Sequence, residues 1–321
     1  MSSKIISLQE AVAKIPDDAH LVLGGFTAQR HPMAFVYEMI RQRKKNLHLY
    51  GHSPGGDWDI LIGAGCVRHI EFAYEGDEAF NTVGRMMRRA IENGEVEWED
   101  YSNFGILCRF FGGAIGVPFM PVLAQLGSDI VSREGLPPES RRRDPKIAAK
   151  KLHVMDCPFT GQPTVLVPSL NADFAVIHAQ LVSEKGTVRI LGQTYGDVEY
   201  ASCAREVIVT AEKIVSENYL RAEPGLNRLP HFRVDHIVHV PFGSHPYAVY
   251  GCYDHDPVQI RRYHTGCRDE AAFERYLEVY VYGVKDFDAY LDKVGRSRIE
   301  EELVADPALG YAPDLKRKDD L

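Results

Sequence analysis

The chain alternates between short apolar runs and amphipathic stretches, the pattern that separates strands from helices. Ser7 to Ile15 has helical spacing, His20 to Leu23 is a short β-prone run, and Gly24-Gly25 ends it. A helix is predicted next, with Pro32 in its first turn, Phe35, Val36, Met39 and Ile40 on one apolar face, and Arg41, Arg43 and Lys44 near its carboxyl end. Leu47 to Tyr50 reads as the following strand. Further strands are predicted at Thr164 to Val167, Phe174 to His178, Thr187 to Leu191, Glu206 to Thr210 and His236 to Val240. Several are nearly continuous runs of Val and Ile, as in a sheet covered on both faces. Helices are predicted between Phe80 and Glu92, around Gly105 to Ile115, from Glu270 to Tyr282 and from Phe287 to Lys293. Strands alternating with helices imply an α/β fold, an open, largely parallel sheet with helices on both faces.

No linker divides the chain, so residues 1–321 read as one domain. The most polar stretch, 132–151, carries Pro137-Pro138 and Arg141-Arg142-Arg143 and is predicted to be a solvated loop. The tail 313–321 is predicted to be peripheral.

Composition narrows the function. With 37 Lys plus Arg against 45 Asp plus Glu, the formal net charge is -8, so no global basic field attracts nucleic acid or anionic lipid. No apolar run approaches a membrane span and the first residues lack a signal peptide's hydrophobic segment, so the expectation is a cytoplasmic protein that binds no membrane. The six cysteines are scattered, with no C-x-x-C pair and no zinc-ligand spacing to a His, so no metal is expected and the thiols read as buried or idle.

Glycines gather where strands are predicted to end: Gly24-Gly25, Gly55-Gly56, Gly112-Gly113 with Gly116, and Gly243. In a parallel α/β sheet the carboxyl ends of the strands line the ligand crevice, where glycine-permitted backbone offers N–H groups to an anion. None forms a dinucleotide or P-loop fingerprint. His178 ends a predicted strand and His245 follows Gly243-Ser244, so both are candidates to line that crevice, with a structural role as the alternative.

The run Gly24-Gly25-Phe26-Thr27 with Arg30 and Pro32, followed by Gly55-Gly56-Asp57-Trp58-Asp59-Ile60-Leu61-Ile62-Gly63, resembles the A-type (alpha) chains of class I CoA-transferases, of the glutaconate type. The resemblance continues through Trp98-Glu99-Asp100-Tyr101-Ser102, Gly116-Val117-Pro118-Phe119, Cys157-Pro158-Phe159-Thr160-Gly161, Asp173 to Gln180, Gly186 to Ile190 and Gly243-Ser244-His245-Pro246. It implies a CoA-transferase-like fold and a complex of two related chains. In that family a Glu of the B-type chain attacks an acyl-CoA and carries CoA as a glutamyl thioester to a second carboxylate. The implied partners are a B-type CoA-transferase chain, an acyl-CoA and a small carboxylic acid, with coenzyme A as substrate and no other cofactor.

The nucleophile's Ser-Glu-Asn-Gly signature has a near match in Ser216-Glu217-Asn218-Tyr219, but the glycine is missing and A-type chains carry no nucleophile there, so the match reads as coincidence. Counting back from Gly116-Val117-Pro118, the resemblance places the transferases' oxyanion-hole Gln at Asn103, which keeps the amide donor on a shorter side chain. A helix N-cap is the alternative reading of Asn103. Phe26, Thr27 and the Gly24-Gly25 and Gly55-Gly56 backbone are expected to face the acyl group. Arg30 is the candidate partner of a substrate's distal carboxylate, or else pins a helix start. Two other readings stay open: a two-chain acyl-CoA or ring-opening hydrolase, whose acid Asn103 does not supply, and a noncatalytic ligand-binding protein.

Overall fold

Twelve strands and the helices between them are seen in a computed structural model that describes residues 3–78 and 80–316. The strands are β1 (His20–Leu23), β2 (Leu47–Gly51), β3 (Val67–Phe72), β4 (Glu97–Asp100), β5 (Phe119–Val122), β6 (His153–Asp156), β7 (Pro163–Pro168), β8 (Ala172–Ser183), β9 (Val188–Arg189), β10 (Ala204–Val215), β11 (Asn227–Leu229) and β12 (His236–His239). The α-helices of four or more residues are α1 (Leu8–Ala13), α2 (Met33–Arg41), α3 (Gly56–Gly63), α4 (Arg85–Glu92), α5 (Asn103–Ile115), α6 (Asp129–Ser132), α7 (Pro138–Arg143), α8 (Asp197–Cys203), α9 (Glu217–Arg221), α10 (Pro257–Gly266), α11 (Glu270–Leu277) and α12 (Phe287–Val294).

The main sheet runs in the order β12-β10-β8-β1-β2-β3-β4, with every neighbouring pair parallel, as predicted. β9 returns antiparallel on the far end of β8, and β11 pairs antiparallel with β9. Alternation sends neighbours on a strand to opposite faces. In β1, Leu21 and Leu23 join Phe35, Met39, Trp58 and Ile60 in one core, while Val22 joins Tyr50, Ile106, Phe110 and Tyr200 in another. All four β1 residues are therefore buried, and beyond His20 the strand reads as an unbroken apolar run.

Local chemistry sets the helix ends. Ser7 and Glu10 form a reciprocal capping box at α1, Ser102 accepts from the Gly105 N–H at α5, and Gly116 closes α5 at φ 76°. Three sequence expectations are corrected. Thr164 to Val167 lies in β7 of a separate antiparallel sheet, β5-β7-β6, because it pairs with its hairpin neighbour β6 on one side and with β5 on the other. Gly112 and Gly113 sit inside α5 instead of at a strand end, since a Cβ on Gly113 would stand 1.8 Å from the Leu170 carbonyl oxygen. The stretch 132–151 includes α7 and is tied to the main sheet's strands, through Arg141 to Glu99, Ser140 to Glu97, and Lys151 Nζ to Asp100 at 2.7 Å.

In the tail, Leu315 packs on the core, and residues 317–321 lie outside the described residues. No helix among the described residues is long and apolar enough to cross a membrane.

Candidate functional site

The carboxyl ends of β1, β2 and β4 carry three loops that meet. After β1, Gly24 donates to the Val176 carbonyl at 2.8 Å, and Gly25, at φ 101°, turns the chain so that its N–H donates to Asp197 Oδ1 at 3.1 Å. Phe26 and Gln29 exchange N–H···O bonds at 2.9 Å, closing a tight turn, and the Thr27 N–H donates to the Ser53 carbonyl at 2.9 Å. The second loop, His52 to Gly55, is thereby stitched to the first.

Gly55 permits this approach: a Cβ there would stand 2.2 Å from the Thr27 carbonyl oxygen, and one on Gly56 would stand 2.2 Å from the Tyr247 hydroxyl. The Gly55 N–H donates to Asp57 at 2.9 Å and the Gly56 N–H to Asp77 at 3.0 Å, so the start of α3 is satisfied from within. Thr27, Arg30 and Tyr195 all hold positive φ, at 46°, 59° and 51°, a concentration of backbone strain around one mouth.

Phe26 stacks on Tyr195 with ring centroids 4.7 Å apart and lies 5.5 Å from His52. The Tyr195 hydroxyl donates to Gln29 Oε1 at 2.9 Å, which fixes this aromatic wall. Burial pulls the His52 imidazole below its ordinary pKa, favouring the neutral ring. Burial alone would lower His31 too, but the Asp57 carboxylate, 3.1 Å from Nδ1, outweighs it and raises the imidazole.

The third loop brings Asn103. It opens α5, is exposed, and its Oδ1 accepts a long bond of 3.5 Å from Ser53 Oγ, which leaves Nδ2 with both protons for a ligand. Ser102, not Asn103, is the helix cap. The structure thus brings the Phe26-Thr27 turn, Ser53 and Asn103 together, but the Gly24, Gly25, Gly55 and Gly56 N–H groups, expected to face the acyl group, are buried and spent on Val176, Asp197, Asp57 and Asp77.

Arg30 is different. Its guanidinium is buried and committed to Asp197, to the His178 carbonyl at 3.1 Å and to the Gln193 carbonyl at 3.0 Å, so it braces the loop from below instead of facing a substrate carboxylate. His178 and His245 are also withdrawn. His178 is buried between Thr210 Oγ1 at 2.8 Å and Glu212 Oε1 at 2.7 Å, and His245 between Tyr290 at 3.0 Å and Asp256 at 3.0 Å. Glu217 lies beyond β10, bonded to Ser183 and Thr187 at the β8–β9 turn and not to the three loops.

Sequence reasoning missed Ser53, Tyr195 and Asp197. None left a local signal: Asp197, which receives the Gly25 N–H, lies 172 positions away and comes near because β8 pairs with β1. No described carboxylate under the mouth is free: Asp57, Asp77 and Asp197 are each at most 1% exposed and each accepts a backbone N–H.

Comparison with known proteins agrees with this geometry. Residues 5–240 match the Coenzyme A transferase family. The chain is 37% identical to the A-type chain of glutaconate CoA-transferase from Acidaminococcus fermentans, over 99% of both chains. It is 33% identical to the A-type chain of 3-oxoadipate CoA-transferase from Pseudomonas knackmussii, over 92% of this chain and 100% of that one. Its fold superposes on the crystal structure of glutaconate coenzyme A-transferase from Acidaminococcus fermentans with a TM-score of 0.94 and 38% identity, covering 97% of this chain and 99% of the other. Loops, strand order and sequence concur: this chain belongs to the Coenzyme A transferase family, among its A-type members.

Proposed function

We propose that this chain is the A-type half of a two-chain CoA-transferase that moves CoA between an acyl-CoA and a carboxylic acid, with a glutaconate-like dicarboxylate as the favoured acid. One observation carries the reading: the mouth offers an exposed amide donor, Asn103, and no free carboxylate among its described residues. Transfer by the family's route needs both a carboxylate nucleophile and an oxyanion donor. The donor is here, so the nucleophilic Glu belongs to a B-type partner closing over Phe26, Gly55 and Asn103.

In this scheme the Glu carboxylate attacks the thioester carbonyl, and negative charge grows on the carbonyl oxygen, where Asn103 Nδ2 donates. CoA thiolate leaves and then attacks the glutamyl carbonyl of the resulting anhydride, releasing the first acid and forming the glutamyl thioester. The second acid attacks the glutamyl thioester and expels CoA thiolate, giving a second anhydride, and the thiolate then attacks its acyl carbonyl to form the new acyl-CoA and free the Glu carboxylate. With Arg30 spent on Asp197, the partner chain supplies the group that pairs with a dicarboxylate's distal charge. CoA is a substrate, and the scheme requires no other cofactor.

Steady-state assays of this chain alone, the partner alone and the reconstituted pair test the proposal. Transfer only in the pair supports it. Full transfer by this chain alone would overturn it.

A further inference from the structure

At the opposite, amino ends of the strands, three histidines stand side by side. His20 of β1 is in register with His48 of β2, and His48 with His69 of β3. In a parallel sheet such partners lie on the same face, and the His20 and His48 rings stack with centroids 4.4 Å apart. The polar stretch that follows α7 folds against them: His20 Nε2 meets Asp144 Oδ2 at 2.6 Å. A ring nitrogen of His20, one of His48 and a carboxylate oxygen of Asp144 all lie within 4.8 Å of one another.

The hydrogen bonds around this cluster assign its atoms. His48 Nε2 is committed to Glu71 Oε1 at 2.9 Å, while its Nδ1 is buried without a partner. A nitrogen in that state is an uncompensated acceptor, which a bound cation would satisfy. His20 Nδ1 faces the Tyr50 hydroxyl at 2.6 Å, leaving Nε2 toward Asp144. Asp144 Oδ1 accepts the Lys146 N–H at 2.9 Å, and the side chain is 28% exposed at the rim of a cavity of about 320 Å³. Metal-binding histidines characteristically hold their second nitrogen on a carboxylate or another oxygen, as both do here.

We propose that His20 Nε2, His48 Nδ1 and Asp144 Oδ2 bind one divalent zinc-like cation, with the fourth position open to the cavity. Two imidazoles and one carboxylate suit tetrahedral Zn²⁺, whose ligand distances of about 2.0–2.2 Å require Asp144 to yield slightly from His20. On loading, the proton between His20 and Asp144 shifts to His20 Nδ1, where the Tyr50 oxygen accepts it. The site lies about 13 Å along β1 from the loops of the mouth, at about 3.3 Å per residue, so its role is to clamp the 132–151 stretch onto the sheet. Sequence spacing hid it because its donors come from two strands and a distant loop.

The test is titration of the metal-stripped, full-length chain with Co²⁺, read by visible absorption and followed by displacement with Zn²⁺. One equivalent with the intense bands of a four-coordinate site is expected, together with a Zn²⁺-dependent rise in Tm. Asp144→Asn, isosteric at a part-exposed side chain, should lose both responses while its metal-free Tm stays near that of the parent. Tyr50→Phe should weaken Co²⁺ binding about tenfold by releasing His20. Absence of stoichiometric Co²⁺ binding, or binding unchanged in Asp144→Asn, would overturn the site and leave the transferase reading intact.

Discussion

Arg30 and Asp197 form a buried ion pair beneath the first loop of the mouth, and the same carboxylate that receives the guanidinium also receives the Gly25 N–H. The pair therefore connects β1's glycine turn to the start of α8. Removing one partner leaves the other charged and buried, which costs about 3–5 kcal/mol. Arg30→Ala is expected to lower stability by that amount in urea unfolding. If it raised only the KM for a carboxylic acid, with stability unchanged, Arg30 would be a substrate contact after all.

Gly55 is where two loops touch. A methyl group would stand 2.2 Å from the Thr27 carbonyl oxygen and 2.5 Å from Asp77 Oδ1, and the first of these is backbone with no rotamer to move. Gly55→Ala is expected to cost about 1–3 kcal/mol and to lower activity in the two-chain enzyme. Gly225, where a Cβ meets nothing, is the control, and Gly225→Ala should leave both near the parent's values.

Asn103 tests the oxyanion role. It is exposed and held only by the long contact to Ser53, so its loss should barely alter Tm. Asn103→Ala is expected to reduce kcat about 100-fold in the reconstituted enzyme. Asn103→Gln, which keeps the amide donor on a side chain one methylene longer, should retain most of the activity. Equal activity in all three would remove Asn103 from the mechanism.

How far these residues were legible in sequence depended on what each one touches. His20 to Leu23 and Leu47 to Tyr50 announced β1 and β2 because strands buried on both faces are mostly apolar, interrupted here only by His20 and His48. α3 was missed because it is buried on nearly every side and shows no amphipathic period, and β4, Glu-Trp-Glu-Asp, was missed because its acids bond Arg141, Ser140 and Lys151 of a distant stretch. The glycine turns of the mouth were visible from local composition. Arg30's role was not, because its partner lies 167 positions away and becomes adjacent only when β8 pairs with β1.

The His245 environment fixes a pH dependence. Burial pulls the imidazole below its ordinary value, more than the hydrogen bond to Asp256 raises it. The unfolded chain then binds a proton near pH ~6.5 that the folded chain resists, so stability is full above that pH and declines as pH falls below it toward the lowered folded value. The contribution from one such proton is at most about 1.4 kcal/mol per pH unit. Urea midpoints measured from about pH 7.5 down to about 5 should fall more steeply for the parent than for His245→Gln. Parallel curves would mean that His245 titrates normally in the fold.

The most direct measurement is intact mass of this chain co-purified with its B-type partner after brief exposure to a panel of acyl-CoAs. The account predicts a CoA-sized covalent adduct on the partner and none on this chain. Such an adduct on this chain would contradict the assignment of the nucleophile, and free CoA released with no adduct on either chain would replace transfer by hydrolysis.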